Sequence, residues 1–389
     1  MRRRHLESLI DVEDLVYGLA VLGTGGGANI SPPQLGIDLL CPLIENGKRV
    51  ELVGLDDLPR EGWTVSAAGI GGRGPKGGTP QSELDALGLV RAKYQNPIEV
   101  AILELARHHG IERIDGLVPL ELGSANTARP MVAAASLGIP IVDADYAGRA
   151  LPEIGQFKPC LMGHMPWPAA YVDRWGNITI NKEAVSIPMA DRIGRMLSLA
   201  ALSIVGHATF LLPVNRARHV AVPGTLTLAM EVGCARRSAL ASGRSPAHAM
   251  AQALRGWVIF EGRVSKEVLD DRAAYQFGYG EHLIDGLRSF AGHRLRVWYK
   301  NENHIAWLDG EAYISSPDCI SIVSQGTGEG RPNGLLAEGE DVTVVAWPCL
   351  DPFYRTVAAV EAVGPRHFGF DIEYAPIEIQ MEKFPERGV

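Results

Sequence analysis

The chain has 389 residues, a formal net charge of -8, 46% hydrophobic residues and 21% charged residues, which points to two domains of ordinary globular α/β composition. The acidic balance, with no basic stripe beyond MRRRH at the start, speaks against a nucleic-acid partner. Five scattered cysteines without a CxxC pair speak against a disulfide framework and a cysteine-built zinc site, and a reducing, cytoplasmic setting is expected.

The acidic residues of HLESLIDVEDLVYGLAVL break any signal-peptide core, and from about Asp11 to Leu22 the pattern is that of an amphipathic helix. It stops at GTGGGAN. SPPQLGIDLLCPLIENG then resumes a helical pattern with proline in its first turn, so the glycine loop joins two helices. RVELVGLDDL and WTVSAAGIGG read as strands, the second running into GGRGPKGGT, and NPIEVAILELARHHG as the next helix. IDGLVPLE, NTARPMVAAASLG and IPIVDAD follow as a buried strand, a helix closed by a glycine cap, and a second buried strand. This is a βαβ unit, expected to pair in parallel with a right-handed crossover.

Past Met165 the texture changes. PWPAAYVDRWGNITIN carries a turn signal at Trp175, Gly176 and Asn177, helices are expected over 182–204, 225–242 and 246–255, and the remainder alternates with period two around turns such as Asp309-Gly310. The run Met196–Val214 has no formal charge, but its serines, its histidine and Pro213 make it a buried helix passing into a strand rather than a membrane span. The expected architecture is α/β: a layered N-terminal α/β domain with a parallel βαβ sheet over residues 1–170, and a β-rich α+β domain over residues 171–389.

Glu121 ends the first strand of the βαβ unit and Asp143 the second, so Glu121, Asn126, Asp143 and Asp145 are expected on one carboxyl edge, where open α/β sheets bind ligands. Arg149 and Glu153 follow on the connecting loop. Such a cluster holds a divalent cation, or sets a raised-pKa acid beside an ionised base, with Arg149 orienting an anionic or carbonyl substrate. The plainer alternative is a solvated loop in which Asp143 and Asp145 cap turns and pair with Arg149.

Thr24, Gly25, Gly26 and Gly27 offer backbone N–H groups to a phosphate, carboxylate or carbonyl oxygen, or simply make a tight turn between helices. The loop follows a helix rather than a strand, and neither glycine stretch contains GK[ST], so no nucleotide cofactor is expected. Asn301, Glu302, Asn303 and His304 interrupt a strand-rich segment. Alternation would put the two amides on one face, where they suit a cyclic amide or imide, although alone such a stretch reads as an exposed hairpin edge. No GxSxG is present, and the cysteines sit in apolar surroundings, which disfavours covalent catalysis.

LGTGGGAN, PLELGSAN, GIPIVDADYAGRALPE, NENHIAWLDG, SPDCISIV and VGPRHFGFD, in that order, resemble the S-methyl thiohydantoin desulfurase family over nearly the whole chain, and the third segment is the specific one. The chain departs from the family pattern at Ser124 and at Glu83, which no lysine follows. The resemblance implies a two-part protein that replaces sulfur by oxygen on a thiohydantoin or S-methyl thiohydantoin ring by hydrolysis. It implicates Thr24, Gly25, Gly26, Gly27, Glu121, Gly123, Asn126, Asp143, Asp145, Arg149, Glu153, Asn301, Glu302 and Asn303. In the mechanism expected from it, Glu121, Asp143 or Asp145 is the general base, acting directly or through a divalent metal held by those carboxylates, zinc first. The expected partners are a small cyclic substrate, a second copy of the chain and a hydantoinase/oxoprolinase-type protein, with no membrane. A hydantoinase-like hydrolase that opens the ring, or a non-catalytic member of such a complex, is the alternative.

Overall fold

The first helix starts where the sequence supplies its cap. The computed structural model describes residues 4–27, 32–48, 50–71, 79–270 and 278–383. In it Ser8 Oγ accepts from the Asp11 N–H at 3.2 Å and the Asp11 carboxylate accepts from the Ser8 N–H at 2.9 Å, opening helix Leu9–Leu22. This reciprocal pair satisfies two donors that a helix start leaves orphaned. Helix Pro33–Glu45 resumes beyond the glycine loop. Ala28 and Asn29 of that loop, and residues 72–78 of the second glycine-rich stretch, lie outside the described residues.

The apolar runs of the first half make an eight-stranded sheet. From edge to edge its strands are Arg4–Leu6, Val50–Val53, Ile141–Val142, Gly116–Leu117, Trp63–Ile70, Val205–Pro213, Ala169–Val172 and Ile178–Asn181. The second to fifth of these run parallel, and the others join antiparallel. The βαβ unit is in place: Leu117 pairs with Ile141 across helix Ser124–Leu137, which ends at Gly138 with φ +68°. Its strands are shorter than expected. IDGLVPLE pairs only over Gly116–Leu117, and IPIVDAD leaves the sheet after Val142 so that Ala144–Asp145 can pair with Val222–Pro223.

The second sheet has seven strands, all antiparallel, in the order Glu311–Ser315, Glu302–Leu308, Arg294–Lys300, Tyr279–Gly286, Trp257–Asp270, Asp341–Trp347 and Cys319–Ser324. The turn at Asp309 and Gly310, with φ +53° and +93°, is the left-handed two-residue connection that matches strand twist. Helix Thr225–Ala241 packs on Leu9–Leu22 and on Pro246–Ala253, which in turn meets the second sheet. One apolar core runs from Leu15 and Leu19 through Leu226 and Val232 to Val258, Val345 and Trp347, so the two sheets are built on shared burial. The uncharged run Met196–Val214 is the end of helix Ile187–Ala200 followed by a strand. No helix among the described residues is long and apolar enough to cross a membrane.

Candidate active site

Helix Leu9–Leu22 delivers Gly23–Gly27 into the seam between the sheets. The Thr24 carbonyl accepts from the Asn303 N–H at 2.8 Å and the Gly25 carbonyl from the Asn333 N–H at 2.9 Å. On the other side Gly27 lies on Gly123, where a Cβ added to either residue would fall 2.6 or 2.5 Å from the other's Cα. At Gly26 an added Cβ would fall 1.9 Å from Glu302 Oε1. The loop is therefore the floor of a site as well as a turn between helices, and only glycine allows this approach.

Glu121 reaches the same place from the first sheet. Past Leu117 the chain stays extended and then turns into helix Ser124–Leu137, with Thr127 Oγ1 donating to the Glu121 carbonyl at 3.0 Å and accepting from the Gly123 N–H at 3.1 Å. The Glu121 carboxylate accepts from Asn126 Nδ2 at 2.7 Å and from the Leu151 N–H at 3.0 Å. Burial outweighs both bonds and pushes its pKa up to about 7. Glu302, wholly buried, is pushed well above the usual carboxylate range by burial and then by the charge of Glu121, against the pull of Arg149 and Asn301. Two buried acids that sense each other cannot both ionise cheaply, so at neutral pH the pair favours holding one proton.

Arg149 is buried, and among the described residues no carboxylate pairs with its guanidinium. Its nitrogens donate to four neutral acceptors: Thr24 Oγ1 at 3.2 Å and the carbonyls of Asn303 at 2.8 Å, Ala150 at 3.1 Å and Asp318 at 3.3 Å. It ties the glycine loop to the strand that carries Glu302 and keeps its positive charge available. Asp145 accepts from the N–H groups of Ala147 and Gly148 at 2.9 and 2.8 Å, and burial raises it to about 7 as well.

Two predicted carboxylates lie in different roles. Asp143 Oδ1 accepts from the N–H groups of Leu226 and Thr227 at 3.0 and 2.9 Å, and its Oδ2 accepts from Thr227 Oγ1 at 2.6 Å. It caps the start of helix Thr225–Ala241 with both oxygens, accepting three hydrogen bonds there. Glu153 pairs with Lys300 and, at 3.1 Å, with His367. Burial opposes the charge, but the bonds to His367 and Lys300 win and hold the carboxyl at about 2, too acidic for a base at neutral pH. The expected divalent ion on Asp143, Asp145 and Glu121 does not fit these side chains. Asp143 is turned toward three donors at the start of helix Thr225–Ala241, and among the described residues no three His, Cys, Asp or Glu side chains group as a metal site. The solvated ion-pair alternative is also corrected, since Asp143, Asp145 and Arg149 are buried and Arg149 pairs with neither aspartate.

Asn301, Glu302, Asn303 and His304 are buried, not an exposed hairpin edge, because strand Glu302–Leu308 has neighbours on both sides. The alternation breaks there. Asn301 takes a left-handed φ of +59°, and the pairing with strand Arg294–Lys300 skips His304 at a bulge. Asn301 Nδ2 donates to Glu302 Oε1, and Asn303 Nδ2 donates to the Ile320 carbonyl at 3.2 Å. Among the described residues Asn301 Oδ1, Glu302 Oε2 and Asn303 Oδ1 have no hydrogen-bond partner. Three buried open acceptors in consecutive residues mark a place for donors from a ligand. Sequence reasoning missed Asn333, which touches both the loop and Asn301, and Lys300 and His367, which take up Glu153. Their contacts arise from folding and leave no local signal.

Fold and geometry define an α/β protein with a buried acid pair and amide groups clamped between two sheets. The family is shown directly: residues 10–183 match the S-Me-THD-like N-terminal domain and residues 185–377 the S-Me-THD-like C-terminal domain, and the chain belongs to that family. Membership agrees with a thiohydantoin-related role and suggests an enzyme. No curated protein matches. The crystal structure of a protein from Chromobacterium violaceum is similar in fold, with a TM-score of 0.75 at 21% identity over 96% of this chain and 100% of that one.

Proposed function

We propose that the chain is a hydrolytic desulfurase that replaces sulfur by oxygen on a thiohydantoin or S-methyl thiohydantoin ring. The observation that carries this reading, within a thiohydantoin-related family, is the coupled acid pair Glu121 and Glu302 beside buried open acceptors. Such rings present N–H donors, and Asn301 Oδ1 and Asn303 Oδ1 are acceptors in search of donors. The ionised member of the pair takes a proton from water as its oxygen bonds to the ring carbon bearing sulfur. Negative charge that develops on the ring is balanced by Arg149, whose guanidinium donates to a hydroxyl and to backbone carbonyls. The carbon–sulfur bond then breaks, the other carboxyl protonates the departing sulfur, and methanethiol or hydrogen sulfide leaves a hydantoin.

Product analysis tests the reading. Purified protein with an S-methyl thiohydantoin is expected to release methanethiol and hydantoin in equal amounts. Release of a ring-opened S-methyl isothioureido acid, with sulfur retained, would make it a ring-opening hydrolase instead, and no turnover across thiohydantoins, S-methyl thiohydantoins and hydantoins would favour the non-catalytic role.

A further inference from the structure

One buried amide is bonded to both halves of the site. The Asn333 N–H donates to the Gly25 carbonyl at 2.9 Å, and its Nδ2 donates to the Asn301 carbonyl, also at 2.9 Å. A carbonyl can only accept, so the Asn333 side chain is fixed with Nδ2 toward Asn301 and Oδ1 toward His282 Nε2, 3.2 Å away. His282 must then carry its proton on Nε2. Its ring is wholly buried and stacked on Tyr299, with centroids 4.7 Å apart and planes 19° apart.

We infer that Asn333, oriented by His282, is a positioning residue that sets the Glu302 carboxylate for the reaction; this rests on the desulfurase reading above. Asn301 holds a left-handed backbone, which asparagine adopts more readily than other non-glycine residues but in competition with right-handed and extended conformations. The bond from Asn333 to the Asn301 carbonyl selects the left-handed one, and from that conformation Asn301 Nδ2 donates to Glu302 Oε1. The bond to the Gly25 carbonyl holds the glycine loop under the same carboxylate, where Gly26 leaves no room for a Cβ. Glu302 Oε1 is thereby held from the side and from below, while Oε2 has no partner among the described residues and is the oxygen left for water. The Asn301 carbonyl selects the orientation of the Asn333 amide, since a flipped amide would face one carbonyl oxygen with another, and the His282 Nε2–H holds Asn333 Oδ1 in that orientation from behind.

The test uses the full chain and three variants. His282→Phe keeps a ring against Tyr299 but removes the donor, His282→Gln restores a donor, and Asn333→Ala removes the anchor itself. On an S-methyl thiohydantoin, Asn333→Ala and His282→Phe are expected to lose at least about tenfold in kcat with KM unchanged, because positioning acts on the chemical step. His282→Gln is expected to recover most of that loss. Amide hydrogen exchange, read without substrate, is expected to rise together at Gly25–Gly27 and at Asn301–Asn303 in Asn333→Ala and His282→Phe, and to return toward wild type in His282→Gln. A kcat loss shared equally by His282→Gln and His282→Phe, or exchange that changes in only one of the two segments, would overturn the inference. If the wild-type chain turns over none of the rings, the desulfurase reading fails, and the exchange measurement still decides whether Asn333 ties the two segments together.

Discussion

In the segment from Asp143 to Glu153 two of the three acidic groups are engaged, Asp143 as a helix cap and Glu153 between Lys300 and His367, while Asp145 accepts two backbone N–H groups on Oδ2 and its Oδ1 has no partner among the described residues. In Asn301–Asn303, three neighbouring side chains each keep an acceptor atom without a partner among the described residues. Both segments are polar, buried and close to the glycine loop. The difference is that Asp143 and Glu153 spend their lone pairs on holding the protein together, whereas each residue of Asn301–Asn303 keeps an open acceptor. A carboxylate becomes a candidate for chemistry through the lone pairs that remain to it, not through its charge or its burial.

The sharpest way to break this contrast is Glu302→Gln, which keeps the shape of the side chain and removes its basicity. Turnover is expected to fall by about 10²–10⁴ with the fold intact by circular dichroism.

Glu121 and Glu153 extend the contrast to stability. The folded pKa of Glu121, about 7, lies above its ordinary 4.5, so burying it neutral is favourable below pH 4.5 and becomes progressively costly as pH rises toward 7. Wild-type stability relative to Glu121→Gln should therefore fall by roughly 3 kcal/mol between pH 4.5 and 7 in denaturant titrations. Gly26→Ala, which pushes a methyl group into Glu302, is expected to cost about 2 kcal/mol and to lower turnover, whereas substitutions at the tip of the loop Asp309-Gly310 spare activity. Asp143→Ala is expected to cost about 1–2 kcal/mol through the lost helix cap, read as a lower melting temperature, with kcat unchanged. The smallest effect belongs to Glu153→Gln, and its sign opposes that of Glu121. The folded pKa of Glu153, about 2, lies below 4.5, so its stabilisation is full above pH 4.5 and lost as pH falls toward 2, worth at most about 1 kcal/mol for a partly exposed pair.

Much of the scaffold was legible from local pattern. The first helix, which starts at Leu9 rather than near Asp11, the glycine at the end of helix Ser124–Leu137 and the parallel pairing of the βαβ strands follow from apolar periodicity and capping chemistry within a few tens of residues. Glu121 was legible for the same reason, since it stands just past a strand end. The roles of Asp143 and Glu302 were not separable in sequence, because the groups that decide them come from far along the chain. Thr227 is 84 residues from the aspartate it bonds, and Lys300 is 147 residues from Glu153. Asn301–Asn303 reads as an exposed edge only until strand order is known, and the sheet places a strand on each side of it. The place of Asp143 was hidden for the same physical reason, as the donors it caps on helix Thr225–Ala241 lie more than eighty residues away.

The central claim is that Glu302, rather than Asp143, works on the substrate. It is tested most directly by measuring methanethiol release from an S-methyl thiohydantoin by the wild type, Glu302→Gln and Asp143→Asn side by side. The expected result is a loss of about a hundredfold or more in Glu302→Gln, with Asp143→Asn within a few-fold of wild type. A folded Asp143→Asn that loses turnover while Glu302→Gln retains it would contradict the account.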